Sequence, residues 1–194
     1  NHFYHQAKRL SEAHGYFWAD QFENTANGDF HFQSTGPEIW EQAKGAIDIL
    51  TMATGTGGTL SGTSRYLKAQ NPQVQVVLAD PHGSGMCSYH QTGQIRSEGS
   101  SITEGIGIMR LTKNFQSAKI DRAITISDQQ MIDMLYHIAK SDGLLLGTSA
   151  ALNLASAYRL GLENAGTGKT IITILCDHGT RYVSRVFNRD WLSK

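Results

Sequence analysis

The loop Gly55-Thr56-Gly57-Gly58-Thr59 has the residue types best suited to chemistry in this sequence. It follows an apolar segment, 47–53, typical of a buried strand, and it precedes a predicted helix that carries Leu60. Backbone N–H groups at the start of a helix attract anions, and glycine lets an anion approach the backbone closely. Thr56 and Thr59 add hydroxyl donors. The pattern predicts a site for a single phosphate monoester.

Two other interpretations of this loop stay open. A dinucleotide fingerprint, G-x-G-x-x-G, would need glycine where Leu60 stands, although Asp80 follows the next predicted strand at a suitable distance for contacting a ribose of NAD. A tight strand-to-helix turn without a ligand would account for one or two glycines. That second interpretation does not readily explain the third glycine and the two threonines.

Two further glycine-containing segments resemble nucleotide loops less closely. Residues 166–170 match the tail of a P-loop, but Glu163 stands at the position of its first glycine. A predicted helix precedes this segment and a strand follows it, which is the reverse of the order in a P-loop. A helix-to-strand turn is therefore predicted here. Gly105-Ile106-Gly107 is too short to indicate a function by itself.

Strands and helices alternate along the chain, as in proteins built from right-handed βαβ units. Strands are predicted over 16–22, 47–53, 74–79, 123–126 and 170–175. Helices are predicted between 3 and 15, from 35, from 60 to the Asn71-Pro72 pair, from a capping box at 127–130 to about 142, and over 148–164. Residues 23–34 are predicted as loop, and 81–113 have no assignment. The fold class is α/β, a parallel twisted sheet flanked by helices.

The composition excludes several classes of protein. The 194 residues include 17 basic and 17 acidic side chains, whereas a nucleic-acid-binding protein usually carries a basic excess. The apolar runs are too short to span a bilayer, so no membrane partner is predicted. Cys87 and Cys176 lie far apart and the histidines are scattered, which predicts neither a disulfide framework nor a metal site. Reduced thiols are typical of a cytoplasmic protein.

Short motifs follow one another along nearly the whole chain. They are Gln21-Phe22 with Asn24, Ala26 and Asn27, then His31, Thr35-Gly36-Pro37-Glu38-Ile39-Trp40, the 55–59 loop, Asp80-Pro81 with Gly83 and Ser84, Glu104-Gly105-Ile106-Gly107, residues 143–149, and Asp177, Gly179, Arg181 and Tyr182. In this order they resemble the fold-type II pyridoxal-phosphate enzymes of the cysteine synthase and cystathionine β-synthase group. The resemblance implies the large domain of a tryptophan synthase β-like fold.

The resemblance also implies pyridoxal 5′-phosphate as the cofactor and roles for individual residues. The 55–59 loop would hold the cofactor phosphate, in agreement with the anion site predicted above. Ser149 would face the pyridine nitrogen, where a neutral hydroxyl leaves the ring unprotonated, and capping of the following helix is its alternative role. Gln21 would contact the substrate, with a polar strand end as the alternative. Gly105 would line the substrate cleft through its backbone.

The implied activity is β-replacement or β-elimination on a serine- or cysteine-type amino acid through an aminoacrylate. Cysteine synthesis from O-acetylserine or serine and sulfide is the first expectation, and a cysteine desulfhydrase releasing sulfide, pyruvate and ammonia is the alternative. A homodimer with an amino acid and sulfide as substrates is implied as well. Ala151 and Cys176-Asp177-His178 depart from the family, which usually has Gly and Pro-Asp-Ser there.

The sequence has no lysine in a motif like that of the family's Schiff-base lysine. That lysine is expected upstream, so no catalytic residue is predicted in this chain. Residues 1–24 would be the last helix and strand of a small domain, and 25–194 the large cofactor-binding domain. The chain would then be the C-terminal part of a cysteine synthase-like enzyme, inactive without its N-terminal part. A non-catalytic module that keeps the phosphate site is the alternative.

Overall fold

The computed structural model describes residues 3–193, which form four strands, nine α-helices and one short 3-10 helix. The strands are β1 (Ile49–Met52), β2 (Gln75–Pro81), β3 (Arg122–Ile126) and β4 (Ile171–Ile172). The helices are α1 (Phe3–His14), α2 (Ala26–Gln33), α3 (Thr35–Gln42), α4 (Gly58–Gln70), α5 (Met86–Thr92), α6 (Lys113–Gln116), α7 (Asp128–Ser141), α8 (Thr148–Glu163) and α9 (Arg189–Leu192), with the 3-10 helix at Gly179–Tyr182.

The four strands form one parallel sheet in the order β3-β2-β1-β4. Ile49 of β1 pairs with Gln75 of β2 on one side and with Ile171 of β4 on the other. Every residue of β1 is buried, as expected for a central strand covered on both faces. This confirms the predicted fold class.

Two apolar clusters cover the two faces of the sheet. One joins β1 and β3 to α7 and α8 and includes Met131, Leu135 and Leu152. The other joins β1 and β2 to α4 and α5 and includes Leu67 and Met86. The side chains of one strand alternate between these clusters, which holds the ends of the strands rigidly between two layers of helices.

The order of the strands reverses direction at β1. The chain runs from β1 to β2 and β3 on one side, and only then returns to place β4 on the other side. Helices that follow neighbouring strands on opposite sides of such a point diverge, and a crevice opens beyond the carboxyl ends of the strands. The fold therefore places its natural ligand crevice where β1 and β4 end.

Most predicted elements are confirmed, but the strand at 16–22 and the loop at 23–34 are wrong. Residues 16–20 pair with no strand in the described range, and Phe17 is 89% exposed, so these residues lack the sheet that the apolar pattern implied. Residues 26–33 form α2, which packs against α4. The last strand is shorter than predicted and lies at the sheet edge. The domain boundary at 24/25 stays a prediction.

The capping box predicted at the start of α7 is present. Ser127 Oγ accepts a hydrogen bond from Gln130 N at 3.2 Å, and Gln130 Oε1 accepts one from Ser127 N at 2.9 Å. We expect Ser127→Ala to lower the free energy of unfolding by about 1 kcal/mol, and Ser127→Gly by only a few tenths. Urea unfolding followed by circular dichroism measures both. Equal losses for the two variants would contradict a capping role.

Candidate functional site

A cavity of about 630 Å³ lies beyond the carboxyl ends of β1 and β4, in the crevice that the strand order creates. Its volume is in the range of small-molecule sites, about 300–1,000 Å³. The residues that line it are His31, Thr35, Met52, Ala53, Thr54, Gly55, Thr56, Gly57, Thr59, Leu60, Glu104, Gly105, Ile106, Ser149, Ile174, Cys176, Asp177, Arg181 and Tyr182. The cavity thus joins the glycine loop to Ser149 and Gly105.

The glycine loop turns sharply from β1 into α4. Gly57 precedes the first residue of α4 and has a φ of +91°, a conformation that other residues rarely adopt. A Cβ atom at Gly55 would lie 2.3 Å from the carbonyl oxygen of Gly105, so only glycine lets the two segments meet. The first N–H groups of α4 have no partner within the helix and add its positive dipole end. Together these features form an anion cradle.

Asn27 contacts the glycine loop from outside the cavity. A Cβ at Gly58 would lie 2.0 Å from Asn27 Oδ1, so Gly58 packs on this amide while the other four loop residues line the cavity. Asn27 Nδ2 donates to Thr56 Oγ1 at 3.0 Å and to the carbonyl oxygen of Gln21 at 3.1 Å. Thr112 Oγ1 donates to the carbonyl oxygen of Thr56 at 2.7 Å. These bonds fix the loop's shape without using the cavity.

His31 connects α2 and α3 to the cavity. Its Nδ1 lies 2.8 Å from Thr35 Oγ1, and its Nε2 lies 3.1 Å from Thr59 Oγ1. Burial lowers the pKa of His31 from its ordinary value. A neutral imidazole has one donor and one acceptor nitrogen, so it can orient both threonine hydroxyls at once.

The lowered pKa of His31 predicts a stability that depends on pH. Between the folded and the unfolded pKa, the unfolded chain binds more protons, so the stability contributed here is present above the unfolded value of 6.5 and is lost as pH falls. We expect wild type to lose more stability than His31→Asn between about pH 7.5 and about pH 5. Urea titrations at each pH measure the difference. His14→Asn, at an exposed position, should follow wild type.

Parallel stability curves for the wild-type and His31→Asn chains would contradict this assignment.

Ser149 lies in the first turn of α8 and is 6% exposed. Its Oγ donates to Asp177 Oδ1 at 3.5 Å, and Tyr182 OH donates to Asp177 Oδ2 at 2.9 Å. Burial, followed by the neighbouring Asp177 carboxylate, raises the pKa of Tyr182, so this phenol stays protonated. Gly147 makes the arrangement possible, because a Cβ there would lie 1.9 Å from Asp177 Oδ1.

The cavity offers two kinds of polar contact to a ligand. It has an anion cradle at the glycine loop and uncharged hydroxyls from Ser149 and Thr54. Thr54 is 3% exposed and its Oγ1 has no hydrogen-bond partner, which is costly for a buried hydroxyl unless a ligand supplies one. No lysine in the range 3–193 lines this cavity. Glu104 at the rim is paired with Arg185.

The predicted residues divide into those in the cavity and those outside it. Ser149, Gly105 and four loop residues line it. Gln21 is exposed outside the cavity and reaches the loop only through its carbonyl oxygen, which accepts a hydrogen bond from Asn27.

Asp80 is 1% exposed and accepts from Cys87 N at 2.7 Å, so it does not face the loop as a dinucleotide site requires. Residues 166–170 form a turn between α8 and β4, as predicted.

Sequence reasoning gave no role to Asn27, His31, Thr35, Thr54 or Asp177. Four of them, Asn27, His31, Thr35 and Asp177, are part of the motifs quoted above, which were the signal available in the sequence. The expectation of a loop over 23–34 hid the common position of Asn27, His31 and Thr35 on α2 and at the start of α3. Thr54 directly precedes the glycine loop and was not singled out.

Within 3–193, no helix has both the length and the apolar character needed to cross a membrane. In the same range, no group of three or more His, Cys, Asp or Glu side chains is arranged to hold a metal ion.

Several known proteins are similar to the chain in sequence. The sequence profile of the family described as "Pyridoxal-phosphate dependent enzyme" matches residues 2–177. Cysteine synthase 1 of Neurospora crassa is 45% identical over 98% of the chain and 52% of that protein. Cysteine synthase 2 of Schizosaccharomyces pombe is 41% identical over 100% of the chain and 54% of that protein.

A solved structure is similar to the chain in its fold. The O-acetylserine-dependent cystathionine β-synthase of Helicobacter pylori superposes with a TM-score of 0.83 and 28% identity, over 94% of the chain and 57% of that structure. The chain therefore spans about half the length of these relatives.

Proposed function

Because the chain belongs to the family of pyridoxal-phosphate-dependent enzymes, we propose that its cavity holds pyridoxal 5′-phosphate in an enzyme of cysteine biosynthesis. The proposed reaction makes cysteine from O-acetylserine, or serine, and sulfide. The observation that carries the proposal is the cradle of Gly55, Gly57 and Gly58 opening into the cavity that Ser149 also lines. The names of the fungal relatives support the choice of product.

The residues of this chain bind and orient the cofactor. The 55–59 loop holds the phosphate with backbone N–H groups and with the hydroxyls of Thr56 and Thr59. The Ser149 hydroxyl contacts the ring nitrogen as an uncharged partner, and Gly105 lines the substrate side through its backbone. When bound, the cofactor supplies an electron sink for elimination or replacement at Cβ of an amino acid. Gln21 contacts the substrate in this proposal, which needs its exposed side chain to turn inward.

The proposal requires a lysine from outside the described cavity. The relatives are about twice as long as this chain, so a further polypeptide segment of that size has room to supply it. We propose that this further segment is the N-terminal part of the complete enzyme and supplies the lysine. We also propose that the complete enzyme acts as a cytoplasmic homodimer. The two free cysteines agree with a reducing compartment.

Binding and turnover test the proposal separately. Pyridoxine 5′-phosphate, which lacks the reactive aldehyde, is expected to bind the 194-residue chain in calorimetry. Cysteine formation from O-acetylserine, sulfide and pyridoxal 5′-phosphate is expected when the chain is co-produced with the complementary half of the N. crassa relative, and not from the chain alone. Cysteine made by the chain alone would overturn the need for an external lysine.

Two alternatives have distinct signatures. A desulfhydrase runs related chemistry in the opposite direction, so the reconstituted enzyme would release sulfide and pyruvate from cysteine faster than it makes cysteine. A non-catalytic binding module is favoured by the cavity's lack of a lysine within 3–193. The coding sequence upstream of Asn1 distinguishes that module from the enzyme, because only the enzyme needs the lysine encoded there.

A further inference from the structure

Cys176 opens into the proposed cofactor cavity, whereas the other cysteine does not. Cys176 follows β4, is exposed and lines the cavity. Cys87 lies on α5, is 8% exposed and is packed in the apolar cluster that contains Leu67 and Met86. The two thiols therefore form a natural pair of test site and control.

The Cys176 thiol shares its surroundings with the proposed ring-binding serine. Asn153 Nδ2 donates to Cys176 Sγ at 3.5 Å, and the thiol donates to the carbonyl oxygen of Ile174 at 3.7 Å. Ser149 lies one helical turn before Asn153 on α8 and lines the same cavity as the thiol. The thiol and the Ser149 hydroxyl thus face the same part of the cavity.

A second feature shows that this part of the cavity is built for a ligand. Thr54 lies five residues after Ile49, and Cys176 lies five residues after Ile171, the residue paired with Ile49. Both residues lie beyond the last paired residues of the two strands, and both line the cavity. Thr54 is 3% exposed, lines the cavity and has an Oγ1 without a partner. A polar ligand here satisfies a hydroxyl that the protein leaves unpaired.

We propose that Cys176 is a thiol-modification site inside the cofactor cavity, and that its modification by small disulfides and the binding of cofactor exclude each other. The ligand class is a low-molecular-weight disulfide, RSSR. The Cys176 thiolate attacks one sulfur, a new S–S bond forms, and the old S–S bond breaks to release RS⁻, which takes up the proton lost by Cys176. One disulfide replaces another, so no further oxidant is needed. The inference rests on the cavity being the cofactor site.

The environment of the thiol sets the rate of the exchange. Cys176 as a residue is exposed, but the surrounding protein partly removes its thiol from water, which raises the pKa of Cys176. The Asp177 carboxylate acts in the same direction, while the polar groups of Ser149 and Asn153 oppose both effects. The Arg181 guanidinium lies 3.8 Å from Asp177 and partly offsets its charge. Because the thiolate is the attacking species, exchange is slow at neutral pH and accelerates with alkaline pH.

The test uses the 194-residue chain, 2-hydroxyethyl disulfide as the reagent and pyridoxine 5′-phosphate as the cofactor probe. Mass spectrometry is expected to find one adduct on wild type and on Cys87→Ser, and none on folded Cys176→Ser. With the probe at about ten times its dissociation constant, adduct formation should slow about tenfold. Calorimetry should find that the modified chain binds the probe at least about tenfold more weakly, with recovery after dithiothreitol.

Each contrary result has its own meaning. The inference is overturned if the chain binds the probe but the bound probe does not slow modification of Cys176. It is also overturned if the modified chain binds the probe with unchanged affinity. Either result leaves the proposed function standing. A folded chain that binds no probe overturns the proposed function and this inference with it. If Cys176→Ser fails to fold by circular dichroism, peptide mapping of the wild-type adduct assigns the modified cysteine directly.

Discussion

Replacing Gly57 by alanine is expected to weaken binding of pyridoxine 5′-phosphate to the chain by about 100-fold or more. Gly57 has a φ of +91°, a conformation that costs a residue with a Cβ about 1–2 kcal/mol. The new Cβ would also lie 2.5 Å from the backbone nitrogen of Phe115, which is buried on α6 and cannot easily move. The loop must shift, and its N–H donors then no longer converge on the phosphate.

Calorimetric titration of folded Gly57→Ala measures this loss. Gly161→Ala is the matched control, because Gly161 lies within α8 and a Cβ there meets nothing within 4 Å. Alanine in a helix interior stabilises relative to glycine by up to about 1 kcal/mol, so this control should bind normally and unfold at higher urea. Retained affinity in Gly57→Ala would mean that the phosphate lies elsewhere.

The elements that the sequence predicts well are those whose signals are local. The helix α7 begins at a capping box contained within four residues, and α4 ends at an Asn-Pro pair. The strand β1 is a short apolar run that ends in a glycine loop. The tight shape of that loop could be predicted too, because positive φ and close backbone approach both demand glycine at the same few positions.

The helix α2 was missed because its stability comes from a distant contact. Its sequence, Ala26–Gln33, has no apolar stripe of helical period, and its polar composition is typical of a loop. It packs on α4 where a Cβ at Gly62 would lie 2.2 Å from the carbonyl oxygen of Gly28. Two glycines 34 positions apart thus let two helices touch, and a pattern read over a few neighbouring residues cannot show this contact.

The site shows the same division between local and distant signals. The glycine loop and Ser149 each begin a helix and could be identified from their own neighbourhoods. Their meeting in one cavity depends on β4 lying beside β1, which follows from the strand order and from no single motif. The supporting contacts of Asn27 with Thr56 and of Ser149 with Asp177 span 29 and 28 residues, and they became visible only with the fold.

Asn114 is the second position where one substitution should have a large effect. It is 1% exposed, and its Nδ2 donates to the carbonyl oxygens of Gln21, Phe22 and Asn24 at 3.3, 3.0 and 3.1 Å. Its Oδ1 accepts from Gly28 N at 3.1 Å, so one amide anchors the segment that leads into α2. Asn114→Asp replaces the donor by an oxygen that faces three carbonyl oxygens. We expect a loss of at least about 3 kcal/mol in the free energy of unfolding at pH 7.

The buried charge in Asn114→Asp gives this prediction a second, independent readout. Burial and the three carbonyl oxygens would raise the pKa of the new carboxyl in the folded state, so the folded chain would bind the proton more tightly than the unfolded chain. The deficit relative to wild type should therefore shrink as pH falls toward about 4, because the protonated carboxyl can donate again. Gln116→Glu makes the same chemical change at an exposed position on α6 and should cost a few tenths of a kcal/mol at most, about the effect of a surface substitution. A pH-independent deficit in Asn114→Asp would show that lost packing, and not the lost donor, destabilises the chain.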